Sequence, residues 1–226
     1  YEVFDVNTAI YFKNRLQNHG YCHFYFHLGA RAIGLSSGIF VASKYKIENP
    51  EFTPFPKEML VDKSKMSSKG VFGFDLISQG KSFAKIFATH FQHSKAAISP
   101  TDEEKDARKR EMELIVEKTE SLQNRCVILT GDLNLDDTEY AESSWSVLFE
   151  KGDHFSEKTW GGDRFCVDHI IGGTASSPMN LDHTMALLGS VKELYTTLID
   201  TGFDGEIFRE EALSDHRGLY SRITLL

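Results

Sequence analysis

The chain has 226 residues, 41% hydrophobic and 26% charged, with 17 Phe, 8 Tyr and 2 Trp. That suits one packed domain over residues 1–226 and argues against disorder. No apolar run reaches the ~18–20 residues of a membrane-spanning helix, and three cysteines (Cys22, Cys126, Cys166) without C-x-x-C spacing exclude a disulfide framework, leaving room for one bridge. The net charge of −8 is uneven: residues 1–100 carry 12 Lys/Arg against 7 Asp/Glu (+5), and residues 101–226 carry 13 against 26 (−13). Such a balance disfavours non-specific nucleic-acid binding, which rests on Lys and Arg. It does not exclude a nuclease, because a bound metal ion inverts the field inside a site.

In chain order, Phe4–Gln17 reads as a helix ended near Gly20. Short apolar segments rich in aromatic and β-branched residues predict strands at Gly38–Ser43, Val71–Ile77 and Phe83–Thr89. Thr101-Asp-Glu-Glu opens a helix running to about Gln123, with a capping box from Thr101 to Glu104. Its charge run, Asp102–Glu120, reads as a solvated face. Strands follow at Cys126–Thr130 and Val167–Ile171. The last, Leu219–Leu225, alternates as a half-covered strand does. Strands interrupted by helices make an α/β domain, and chemistry is expected at the strand ends.

Four clusters carry proton- and metal-handling groups. In Thr130-Gly-Asp-Leu-Asn134, Asp132 and Asn134 stand at i and i+2 after a buried strand, where an extended chain would project them together. A carboxylate beside an amide suits a hard metal's water shell or a phosphoryl oxygen; an Asx turn with Gly131 at the bend is the plain alternative. Leu213-Ser-Asp-His216 puts an acid next to an imidazole ahead of the last strand. His90 ends the strand FAKIFAT, and Asp168 interrupts the apolar strand Val167–Ile171, where a buried carboxylate needs a partner such as an imidazole.

Taken in order, Glu2, Ser37-Gly-Ile-Phe-Val-Ala-Ser-Lys44, Lys69-Gly70, Thr89-His90, Gly131-Asp-Leu-Asn134, Val167-Asp-His-Ile170 and Ser214-Asp-His216 resemble the endonuclease/exonuclease/phosphatase superfamily over essentially the whole chain. The resemblance implies a four-layer α/β sandwich, two packed mixed sheets flanked by helices, and metal-dependent hydrolysis of phosphate esters. The cofactor implied is Mg2+, with Mn2+ or another divalent cation as substitute. Tyr1-Glu2-Val3-Phe4 is similar to the end of the family's L-Q-E-V-F motif, which makes Glu2 the metal carboxylate. The family's preceding strand, with its active-site Asn, is expected to be missing from this chain.

By the same carry-over, His216 is the general base and Asp168 orients its imidazole. His90 neutralises the pentacovalent phosphorane, Asn134 holds a phosphoryl oxygen, Asp132 orients the nucleophile or assists the leaving group, and Asp215 adds charge near a second metal position. Ser37-Gly-Ile-Phe-Val-Ala-Ser-Lys-Tyr-Lys-Ile47, Asp62 with Ser68-Lys69-Gly70, Phe87-Ala-Thr-His-Phe-Gln92 and Arg110-x-x-Glu113-Leu114 lean toward the neutral sphingomyelinase branch. That branch implies hydrolysis of sphingomyelin to ceramide and phosphocholine by in-line water attack. A magnesium-dependent endonuclease of the deoxyribonuclease type, a phosphoinositide phosphatase and a catalytically idle binding module are the alternatives.

Lys69 is expected to neutralise a phosphate or to pair with an acid near the site, the alternative being a turn lysine. A phospholipid or other phosphodiester is the partner implied, nucleic acid being disfavoured. Lys57, Lys63 and Lys65 form with Lys69 a basic loop, read as solvated with contact to lipid headgroups or polyanions as the alternative; Phe52, Phe55 and Trp160 are read as packed under loops, with peripheral membrane contact as the alternative. Compartment and oligomeric state are left open.

Overall fold

The computed structural model describes residues 3–29, 35–95, 99–122, 125–152, 159, 181–199 and 218–226. Its framework is a six-stranded mixed sheet built from β3 (Lys46–Pro54), β4 (Gly70–Ser78), β5 (Lys81–His90), β6 (Val127–Asp132), β7 (Phe149–Lys151) and β8 (Asp182–Leu187). The order is β3-β4-β5-β6-β8-β7; β5 and β6 run parallel and the other neighbours antiparallel. β5 to β6 is the crossover, and α2 (Asp102–Thr119) lies within it, as a parallel connection requires.

Side chains leave the two faces in alternation. Val71, Phe87, Val127, Leu129 and Met185 share one cluster with Met112 and Ile115 of α2. Ile128 and Ala186, on the opposite face, pack with Leu194 of β9 (Glu193–Ile199) and Ile223 of β10 (Gly218–Thr224). Phe72 and Phe74 pack on that face with Tyr25 of β1 (His23–Tyr25) and Val41 of β2 (Val41–Ser43). Each large apolar side chain buried this way contributes ~1.5–3 kcal/mol.

Two antiparallel pairs, β1-β2 and β9-β10, therefore form the second strand layer among the described residues. Its outer side carries Phe24, Phe26 and Phe40, one step out of phase with Tyr25 and Val41, and Phe12 of α1 (Val6–Gln17) meets Phe40 with ring centroids 6.1 Å apart. Helix, sheet, paired strands and helix make the four layers expected. Asp5 caps α1 by accepting the Thr8 N–H at 2.9 Å. The predicted strand at Val167–Ile171 lies outside the described residues, while β1, β3, β7, β8 and β9 have no counterpart among the strands predicted from sequence.

Helix α2 corrects one expectation. Its capping box is present, the Thr101 hydroxyl accepting from Glu104 and the Glu104 carboxylate from Thr101. The charge run, however, is not all solvated. Glu104, Ala107, Arg108, Glu111, Met112, Ile115 and Thr119 form one buried stripe at helical spacing. Arg108 is tolerated there because Glu139 of α3 (Asp137–Glu142) receives its guanidinium through two bonds, 2.8 and 2.7 Å. The stripe also moves the R-x-x-[Q/E] resemblance by two residues: Arg108, Glu111 and Met112 face the sheet, whereas Glu113 is exposed.

Phe55 is packed inside as the favoured reading had it, buried edge-on against Phe91 with centroids 5.9 Å apart. Phe52 is half-buried against the Phe72 cluster, and Trp160 lies outside the described residues. Cys22 and Cys126 are free thiols. No helix among the described residues is long and apolar enough to cross a membrane.

Candidate active site

Three adjacent strands end in one row. The β5–β6 register pairs His90 with Asp132, and the β6–β8 register pairs Asp132 with Asp182. Residues so paired lie on the same face, and alternation places this row with Ile128 and Ala186, on the side covered by the second strand layer. One step down, the Thr130 and Thr184 hydroxyls meet at 3.3 Å, as cross-strand neighbours on that face do. His90 is nearly buried, and its Nε2 lies 3.7 Å from Asp132 Oδ2.

Gly131 explains how the row comes so close. Its φ is +142°, and a Cβ there would collide with the Thr89 carbonyl oxygen. The glycine thus serves a close approach inside β6 and not the bend that the alternative reading gave it. The bend comes after it: β6 stops at Asp132, whose Oδ1 accepts the Asn134 N–H at 2.8 Å, and Asn134 adopts φ +49°. Asp132 and Asn134 are therefore gathered by an Asx-type turn instead of by strand periodicity. Turning back, Asn134 Nδ2 reaches the Phe91 carbonyl at 3.4 Å.

Lys69 reaches the same carbonyl, donating from Nζ to Phe91 O. With 4% of its surface exposed, it is a buried cation at the site and not a turn lysine on the surface. Lys57, Lys63 and Lys65 are exposed, so the basic loop separates into three surface lysines and one internal one.

The segment after His90 is tied from several directions. Phe91 N–H donates to the Asp132 carbonyl at 3.0 Å. Gln92 N–H donates to Glu111 Oε2 at 2.9 Å, and its carbonyl accepts from Arg108 Nη1 at 3.2 Å. The Gln92 side chain accepts from Val61 N–H and donates to the His93 carbonyl, both at 2.8 Å. Burial, together with the Lys69 charge, lowers the pKa of His93, whose Nδ1 lies 3.0 Å from the Ser64 hydroxyl.

Of the residues singled out from sequence, His90, Asp132, Asn134 and Lys69 are thus brought together. Glu2, Asp168, Asp215 and His216 lie outside the described residues. His216 precedes β10 by two residues. Val127 N–H donates to the Ser190 hydroxyl and Lys192 N–H to the Thr224 carbonyl, so β10 ends at the base of β6 and begins at the end that carries Asp132. Asp182 is not among the residues that sequence motifs pick out, since Val167-Asp-His-Ile170 reads as the carboxylate-bearing strand; Leu181-Asp-His183 has the same apolar-Asp-His signature. No group of three or more His, Cys, Asp or Glu among the described residues is placed to hold a metal ion. The donors at hand, carboxylate and amide oxygens, are of the hard kind that magnesium accepts.

No protein-family model matches the chain, and no curated protein matches it by sequence. Solved structures do match. SmcL superposes with a TM-score of 0.79 at 17% identity, covering 99% of this chain and 83% of that one. A beta toxin variant from Staphylococcus aureus with bound magnesium ions gives 0.71 at 16% identity, covering 99% and 84%. Sphingomyelinase C from Streptomyces griseocarneus gives 0.70 at 18% identity, covering 100% and 81%. The chain shares the fold of these proteins.

Proposed function

We propose that the protein is a divalent-metal-dependent phosphodiesterase that hydrolyses sphingomyelin to ceramide and phosphocholine. The observation that carries this reading is the row His90–Asp132–Asp182, flanked by Lys69 and Asn134, at one end of a sheet whose fold is shared with a sphingomyelinase C. Two carboxylates, an imidazole, an ammonium and an amide converging there suit a phosphodiester, which needs its oxygens neutralised and a water held in line.

In this reading His216 takes a proton from the attacking water. A carboxylate fixes its tautomer and stabilises its charged form: Asp168 is the one the sequence motif names, and Asp182, in register with Asp132, is a second candidate for that role. His90 and Lys69 offset charge building on the phosphoryl oxygens, Asn134 donates to one of them, and Asp132 orients the nucleophile or assists the leaving group. Glu2 and Asp215 are the carboxylates proposed to hold magnesium, which when bound would supply positive charge to the phosphoryl group. Because His216 must be neutral to act as a base, activity falls below its pKa.

The test is phosphocholine release from sphingomyelin vesicles in magnesium, with plasmid nicking in parallel and His216→Ala as control. Release abolished by His216→Ala supports the lipid reading and the base together. Nicking without release would replace the lipid by a nucleic-acid substrate, and inactivity in both assays would leave the sphingomyelin reading without support.

A further inference from the structure

Glu111 is a carboxyl group in the sheet-facing stripe of α2 and is fully buried. Its Oε2 accepts the Gln92 N–H at 2.9 Å, and its Oε1 is buried with no hydrogen-bond partner. Gln92 is two residues beyond His90, and Phe91 between them supplies the carbonyl shared by Lys69 and Asn134. One turn back on α2, Arg108 grips the Gln92 carbonyl. The helix therefore holds both polar atoms of the Gln92 main chain, and the strand end is fixed from behind.

We propose that Glu111 is a positioning residue, which sets the placement of His90, Lys69 and Asn134 by holding the Gln92 peptide from α2 as a neutral carboxylic acid. The neutral form follows from the surroundings. A carboxylate would leave one charged oxygen buried without a partner, which costs far more than an unpaired acid oxygen. Burial accordingly pushes the Glu111 pKa up to about 8, against the opposing pull of the Gln92 N–H and of Lys69, Arg108 and Arg110. His93, on the facing segment, is itself favoured in its neutral form by burial. Above that pKa the ionised group would pull on Lys69 and on the Gln92 N–H, so the strand end carries a built-in sensitivity to alkaline pH.

The inference rests on the phosphodiesterase reading only for what the placement of His90 serves, and the first part of its test needs no substrate. The Gln92 amide and the His90 ring would be followed by 15N NMR of the full chain from pH 5 to 9.5. The wild type is expected to show an inflection of the Gln92 amide near pH 8, absent in Glu111→Gln. Glu111→Leu, which removes the acceptor, should shift the His90 ring resonance and lower kcat on the order of tenfold with little change in KM; Glu111→Gln should restore both. A Gln92 amide without that inflection, or an inflection that persists in Glu111→Gln, overturns the proposal. So does a folded Glu111→Leu whose His90 ring is unmoved. Should Glu111→Leu fail to fold, the comparison of wild type with Glu111→Gln decides. A wild type without phosphodiesterase activity would remove the functional reading, while the NMR titration would still decide the role of Glu111.

Discussion

Asp182 is the register partner of Asp132 across the antiparallel β6–β8 pair, one strand further from His90. Two carboxylates side by side at a strand end repel one another unless a cation or an imidazole lies between or above them. Such a pairing suits a site that gathers positive charge, and it singles out Asp182 as the position to probe first.

Asp182→Asn keeps the shape of the side chain and removes its charge. With Asp182 as the partner of His216, phosphocholine release should fall ~100-fold or more while thermal unfolding changes little. Asp168→Asn, assayed beside it, should retain most activity. The reverse ranking would give the orienting role to Asp168.

Buried Arg108 and half-buried Glu139 form an ion pair with two bonds, and Arg108 also donates to the Ser94 hydroxyl at 2.8 Å. Arg108→Leu leaves Glu139 uncompensated and should destabilise the chain by ~3–5 kcal/mol in urea unfolding. The double variant with Glu139→Leu should recover part of that loss, since both charges are then gone. A single variant as stable as wild type would show that the pair contributes nothing.

Glu111 makes stability depend on pH with a definite sign. Its pKa is about 8 in the folded chain against an ordinary 4.5. Between those values the folded chain holds a proton that the unfolded chain has released. Its contribution is complete below pH 4.5 and is lost as pH rises toward 8, by up to ~1.4 kcal/mol per pH unit. Glu111→Gln, which cannot ionise, should therefore gain on wild type across that window, as read by Tm at pH 5, 7 and 8.5. A constant Tm difference would show that Glu111 does not titrate in that range.

Gly131→Ala places a Cβ against the Thr89 carbonyl in the parallel pair that joins His90 to Asp132. The backbone must yield, and a loss of ~2 kcal/mol or more is expected, with the His90 ring resonance displaced. Gly189→Ala is the contrast: its φ is also positive, at +73°, but nothing lies within 4 Å of the added carbon. It should cost less and leave His90 unmoved.

Much of the fold and part of the site are legible in the residues themselves. The strands around Val71–Ile77, Phe83–Thr89 and Cys126–Thr130 are apolar runs bounded by polar turns, and burial on both faces follows directly from that composition. Thr101 and Glu104 announce the start of α2 through a local bond pattern that needs no tertiary partner. His90, Asp132, Asn134 and Lys69 sit in short motifs whose chemistry is evident once they are read together.

Local sequence does not determine which groups meet. Val167-Asp-His169 and Leu181-Asp-His183 present the same apolar-Asp-His pattern, and the pairing of Asp182 with Asp132 is visible only in the β6–β8 register. The buried half of α2 is hidden for a related reason: Arg108 and Glu111 are ionisable side chains, and burial becomes tolerable only once Glu139 and the Gln92 peptide arrive from elsewhere in the chain. Strands, helix starts and the inventory of reactive groups follow from the chain alone, because they depend on neighbours a few residues away. The partners of those groups are set by the packed fold, because hydrogen bonds between distant segments leave no trace in local spacing.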